Sequence, residues 1–186
     1  MTTVEVLERI ERPARAVGGR TIAISAAILV FGIGATALMT VLFGGGVTLT
    51  PYEQAITPLV EQHNVIVGEW NAFLSDYNAI ALESPEIYDE RAVDGKKMTQ
   101  QLADDTQALI VAWDGVETPA GTATAHGLAR DAIRETQSGF IELSIYFSNI
   151  VQYGVAFDED LQAGTSRLSR ASLIWAEAKV AAILVN

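Results

Sequence analysis

Twenty-three consecutive residues, Thr21 to Phe43, read TIAISAAILVFGIGATALMTVLF without a single charge. As one helix this run would measure about 34 Å, slightly more than the roughly 30 Å of hydrocarbon in a bilayer. No other stretch of the chain is long and apolar enough to cross a membrane in that way. A cleaved secretory signal fits poorly, because such signals have an apolar core of about 7 to 15 residues and a small-residue cleavage site. Here the core is longer and runs into Gly44-Gly45-Gly46. The run is read as a retained signal anchor.

Basic residues orient it. Arg12, Arg15 and Arg20 precede the run, and the first basic residue after it is Arg91. The positive-inside rule then keeps residues 1–20 in the cytoplasm and exports everything from Gly44 onward. The exported portion holds eight basic against twenty acidic residues, a formal charge of −12. Such a surface repels nucleic acid and favours cations or basic partners. Cysteine is absent, which excludes disulfides, thiolate catalysis and iron–sulfur ligation. No Asn-x-Ser/Thr sequon occurs, consistent with a bacterial envelope.

Residues 1–20 carry Val6, Leu7, Ile10, Ala14 and Val17 at helical spacing, with Pro13 as a bend or stop. This predicts a short amphipathic cytoplasmic segment resting on headgroups, too small to house a signalling domain. Residues 44–50 form a glycine-rich linker. Residues 51–186 remain for an exported domain large enough to stand on packing alone.

Thr50-Pro51, Ser84-Pro85 and Thr118-Pro119 each place a capping side chain before a proline suited to a first helical turn. Glu53 completes a Thr-x-x-Glu capping box at the first of them. Their equal spacing invites a repeat reading, but the segments share no internal pattern, so long helices of matched length explain it better. Tyr52, Ile56, Leu59, His63, Ile66, Trp70, Phe73, Tyr77 and Ile80 step by three or four, the spacing of one continuous helical stripe. Met98, Leu102, Thr106, Leu109, Trp113 and Val116 form the second, with Gly95 expected to separate a short helix from it.

The third stripe runs Ala125, Ala129, Ile133, Thr136, Phe140, Leu143, Phe147, Ile150 and Gly154. Ile141, Ile145, Tyr146 and Tyr153 widen it, which predicts a central helix or a second contact surface. The fourth starts near Asp158 and carries Leu161, Thr165, Leu168, Ser172, Trp175, Ala178, Ala182 and Val185. The expected fold is all-α: one N-terminal transmembrane helix, then an extracytoplasmic up-down-up-down four-helix bundle. In that topology the Trp113–Thr118 turn and the chain end face the bilayer. The far tip gathers Glu83, Glu86, Asp89, Glu90 and Asp94 with Asp158, Glu159 and Asp160.

His63 and His126 raise the question of a bis-histidine haem or metal site. Counted from helix starts at one end they differ by about 7 Å in height, Met98 sits deeper still, and no Glu-x-x-His pair is present. Both histidines are read as hydrogen-bonded members of the core. Trp70, Trp113 and Trp175 are read as core filling, and the acidic tip as solvated surface because Arg91, Lys96 and Lys97 lie among its acids. No catalytic, cofactor-binding or metal-ligating residue is assigned, no cofactor is expected, and the chain is read as a non-enzyme.

Two functional expectations remain. The first is an accessory or scaffolding subunit that joins a larger membrane complex, or a second copy of itself, through its anchor and bundle. The second is an extracytoplasmic bundle that senses or binds a small solute. Its layout resembles chemoreceptor-type four-helix sensing bundles in architecture alone, for those are flanked by two spans leading to a signalling module.

Overall fold

A computed structural model describes residues 15–16, 50–83 and 88–183. The apolar run Thr21–Phe43, the Ser84-Pro85 start and the last residues of the fourth stripe lie outside the described residues, as does the segment 1–20 apart from one residue pair. Among the described residues no helix is long and apolar enough to cross a membrane.

The described chain is all-helical, with four helices consistent with a four-helix bundle: α1 Pro51–Glu83, α2 Tyr88–Asp114, α3 Ala123–Tyr153 and α4 Asp158–Ile183. Their lengths of 33, 27, 31 and 26 residues are matched, as the equal spacing of the starts implied. The capping box at α1 is formed in both directions. The Thr50 N–H donates to Glu53 Oε2 at 2.6 Å, and the Glu53 N–H donates to Thr50 Oγ1 at 3.2 Å. Two of the helix's orphan donors are thereby satisfied, a cap contributing about 1 kcal/mol.

Four expectations need correcting, three of them here and the fourth, Gly154, at the end of α3 below. Thr118 does not cap α3: its hydroxyl turns back to the Val116 carbonyl at 3.3 Å. Pro119 to Thr122 instead close a single 3-10 turn through Thr122 N–H to Pro119 O at 3.0 Å, and α3 begins at Ala123. Gly95 does not separate two helices, for α2 passes straight through it. A Cβ there would lie 2.5 Å from the Phe147 ring, so the missing side chain admits an aromatic ring of α3 and outweighs the weak helix propensity. Asp160 does not belong to an acidic tip. It is 3 % exposed and accepts a hydrogen bond from Asn149 Nδ2 at 2.8 Å, tying the end of α3 to the first turn of α4.

Helix α3 is central, packed closely on both α2 and α4. Its tightest approach is to α4, where Gly139 and Gly164 face each other. A Cβ on either glycine would lie 3.1 Å from the other's carbonyl oxygen, so the two backbones meet with nothing between them. Gly154 ends α3 in the left-handed conformation at φ 62°, its N–H donating to the Ile150 carbonyl at 2.8 Å. It is a cap, and not the last member of the apolar stripe.

Helix α1 is held differently, by bulky rings. Trp70 meets Phe140 edge-on with centroids 5.8 Å apart, and Phe147 stands nearly perpendicular to Phe73 and Tyr77 at 6.1 and 5.5 Å. Val60, Val67 and Leu74 widen the α1 stripe beyond the residues expected to form it and are all buried. The α1 and α4 backbones run well apart, so their seam is bridged by side chains alone.

One further contact joins the N-terminal segment to the bundle. Arg15–Ala16 (β1) pairs antiparallel with Val155–Ala156 (β2), in the turn between α3 and α4.

Candidate functional site

The α3 stripe opens on Ala125 and Ala129, and the α4 stripe closes on Ala178 and Ala182. Those four alanines meet at one end of the molecule, beside the first turns of α1. Elsewhere the corresponding layers contain Phe140, Phe147, Leu143 or Leu168, whose volume fills the centre. Four methyl groups cannot. The result is an open pocket of about 910 Å³ between the start of α1, the end of α2, the start of α3 and the end of α4. Volumes of this order suit drug-sized ligands.

The floor is hydrocarbon and indole. Ile56, Val60, Trp113, Trp175 and the alanines line it. Both indole donors are used elsewhere: the Trp113 N–H donates to the His126 carbonyl at 3.2 Å, and the Trp175 N–H to His63 Nε2 at 3.4 Å. With those N–H groups taken, the two rings offer the pocket mainly carbon surface. On α1, Ile56 is partly buried, packed against the core on one side and lining the pocket on the other.

The rim is polar and carries one sign of charge. Glu53 on α1 and Glu117 after α2 stand beside Thr50, Thr118 and Thr122, and among the described residues no Lys or Arg lines the pocket.

The two histidines are not brought together. Four rings run in series, from His63 to Trp175 at 5.1 Å, Trp175 to Trp113 at 6.2 Å, and Trp113 to His126 at 5.1 Å, so the indoles lie between the imidazoles. His63 is closed off behind the floor, with Nε2 also 3.2 Å from Thr136 Oγ1. Because an indole N–H can only donate, Nε2 must accept from Trp175 and cannot carry a proton. Burial lowers the His63 pKa to about 4, which keeps the ring neutral at pH 7.

His126 stands nearer the opening. Its Nδ1 meets the Tyr52 hydroxyl at 3.1 Å, joining α1 to α3 beside the pocket. Burial lowers its pKa below the ordinary histidine value, and Asp114 partly offsets the effect. Burial also raises the Tyr52 phenol, against which a hydrogen bond with the Thr122 side chain acts. Outside the rim, Arg130 donates to Asp114 Oδ2 at 2.7 Å and so is already paired.

Among the described residues no group of three or more His, Cys, Asp or Glu side chains could hold a metal ion. The acids expected at the far tip are partly outside the described residues, and Asp160 is turned inward. Trp113 and Trp175, read from sequence as core filling, do pack in the core, but they also form the pocket floor. Sequence reasoning missed the pocket. Its signal was available in the four alanines, which were counted as apolar without regard to their size.

Compared with protein-family models, curated proteins and solved structures, the chain matches none. The fold and the pocket describe an all-α, four-helix protein with an apolar chamber at one end.

Proposed function

We propose that this chain is a membrane-anchored helical bundle that binds a small, largely apolar molecule in the pocket at the Thr50 end. The observation that carries the reading is the 910 Å³ chamber floored by Trp113 and Trp175, whose polar atoms are already engaged. A natural core would fill such a volume with side chains, since interiors pack to crystal-like density. The role is binding without catalysis, on the extracytoplasmic face of a bacterial cell membrane.

Anchoring by Thr21–Phe43 competes with the β1–β2 pairing. A single crossing puts residues 15–16 and residue 50 on opposite sides of the bilayer, whereas the ladder needs them on the same side. The ladder is two residues long and contributes a pair of hydrogen bonds, about 0.5–1.5 kcal/mol net each. Eleven Leu, Ile, Val and Phe residues in the run favour insertion by roughly 3–7 kcal/mol together. Insertion wins, and the pairing is released in the membrane. Protease added to spheroplasts should then cut after Gly46 and spare the N-terminus; the reverse pattern sinks the anchored topology.

The ligand reading is tested by titrating the full chain in neutral-lipid nanodiscs with 4-phenylbutan-1-ol, followed by tryptophan fluorescence and thermal unfolding. Saturable binding that raises Tm, and that Ala125→Phe and Ala182→Phe each abolish by filling the pocket, supports it. Binding that survives both substitutions, or no saturable binding, rules it out.

The accessory-subunit reading also draws on a specific observation. Leu173 and Val180 lie seven residues apart on one face of α4 and are 67 % and 58 % exposed. Two residues make a small patch, so lateral association with a larger membrane complex or a second copy ranks second. Co-migration of the detergent-extracted chain with a stable multi-subunit assembly would reverse that ranking.

A further inference from the structure

The charge and hydrogen-bonding character of the rim narrow the ligand. Both ionisable groups that line the pocket with a formal charge, Glu53 and Glu117, are acids. Glu53 is fixed in place by the capping box, through the Thr50 N–H to its Oε2 at 2.6 Å. Of the threonine hydroxyls at the rim, Thr50 accepts from the Glu53 N–H at 3.2 Å, while Thr118 donates to Val116 O at 3.3 Å and Thr122 to Pro119 O at 3.0 Å. Their oxygens are left as acceptors. The nearest guanidinium of α3, Arg130, is committed to Asp114. A group docking at this rim thus meets carboxylates and hydroxyl acceptors.

Resting on the reading of this pocket as a ligand site, we propose that its ligand is an amphipathic cation. An apolar body fills the space over Trp113 and Trp175, and an ammonium or similar head sits at the rim beside Glu53 and Glu117. The assignment follows from complementarity. An N–H-bearing cation donates to the carboxylate and hydroxyl oxygens of the rim and balances the two negative charges there. A fatty acid or other anionic amphiphile would set a third negative charge there, with no Lys or Arg among the described lining residues to pair it. A neutral apolar molecule would gain the floor and nothing from the rim. The exported portion's formal charge of −12 adds a long-range field that concentrates cations around the mouth.

Three probes of one shape separate these cases: 4-phenylbutylamine, 4-phenylbutan-1-ol and 4-phenylbutyrate, titrated against the full chain in neutral-lipid nanodiscs with empty discs as the blank. The amine should bind tighter than the alcohol by roughly twofold to fivefold per rim carboxylate, and the acid should bind weakest. The preference should shrink at high salt and vanish in the E53Q/E117Q double variant, where amine and alcohol should bind alike. Glutamine also serves at that position of a capping box, so the helix start is retained, and thermal unfolding of the variant checks it. If the alcohol binds saturably and the amine gains nothing over it, or if the acid binds best, the cation assignment is overturned while the pocket reading stands. If the amine's advantage persists in the double variant, its cause lies away from the rim and the assignment likewise fails. If none of the three binds saturably, both readings fall together.

Discussion

The indole N–H of Trp175 on α4 donates to Nε2 of His63 on α1, across a seam where the two helices otherwise stand apart. The bond closes the floor of the pocket from behind and fixes the neutral imidazole tautomer. It also couples proton binding to folding.

The folded-state pKa of His63, about 4, lies below the ordinary value of 6.5 that the unfolded chain regains. Protonation therefore favours the unfolded state. The stabilising contribution is complete above about pH 6.5 and is lost as pH falls toward 4. Two and a half units correspond to roughly 3 kcal/mol over that window. Thermal unfolding between pH 7 and pH 4 should show a steep loss of stability in the native chain and a shallower one in His63→Gln. Parallel pH profiles would show that His63 is not the group responsible.

Fluorescence should divide the three tryptophans by place. Trp113 and Trp175 line the pocket, while Trp70 lies away from it in the core, stacked on Phe73 and edge-on to Phe140. A pocket ligand should shift the emission of Trp70→Phe as it shifts the native chain, and Trp113→Phe should lose most of the response. A response confined to Trp70 would mean that the ligand enters elsewhere.

How much of this was legible from the residues depends on what kind of information each feature needs. Thr50 and Glu53 form a local motif, and it is formed as read. Helical stripes are local too, and the four helices follow them. Thr118 failed because a Thr-Pro pair fits the mouth of a 3-10 turn as well as a helix start, and the choice is made by hydrogen bonds three residues on. Gly95 failed because propensity speaks of the backbone alone, whereas the ring that occupies its missing side chain is more than fifty residues away. Asp160 failed for a similar reason: its partner, Asn149, is on another helix. The pocket was hidden by polarity scoring, which treats Ala125 and Phe140 alike. Volume, read layer by layer across the expected topology, would have exposed it.

The α1 cap supplies a test of local against tertiary stability. Thr50→Ala removes the acceptor for the Glu53 N–H at an exposed helix start and should cost about 1 kcal/mol in denaturant unfolding. Thr122→Ala should cost clearly less, because Thr122 makes no side-chain cap to α3. Equal losses would mean that the second hydroxyl holds the 3-10 turn more strongly than its geometry indicates.

Glycine substitutions should divide by what lies over the missing Cβ. At Gly164 a Cβ would sit 2.6 Å from Leu143 Cγ and 3.1 Å from the Gly139 carbonyl, and at Gly139 it would sit 2.8 Å from Leu168. Leucine tips can turn aside, but the facing backbone cannot, so α3 and α4 must part for either alanine to fit. Gly139→Ala and Gly164→Ala should each destabilise by about 1–3 kcal/mol, despite alanine's better helix propensity. Gly68 and Gly127 lie in helices with nothing within 4 Å of the added atom. There the same change should stabilise by about 0.5–1 kcal/mol, since only the backbone entropy of the unfolded chain is affected. Unfolding all four variants in denaturant gives opposite signs for the two pairs if α3 and α4 meet backbone to backbone. Stabilisation at Gly139 or Gly164 would mean that the crossing is looser than the carbonyl distances require.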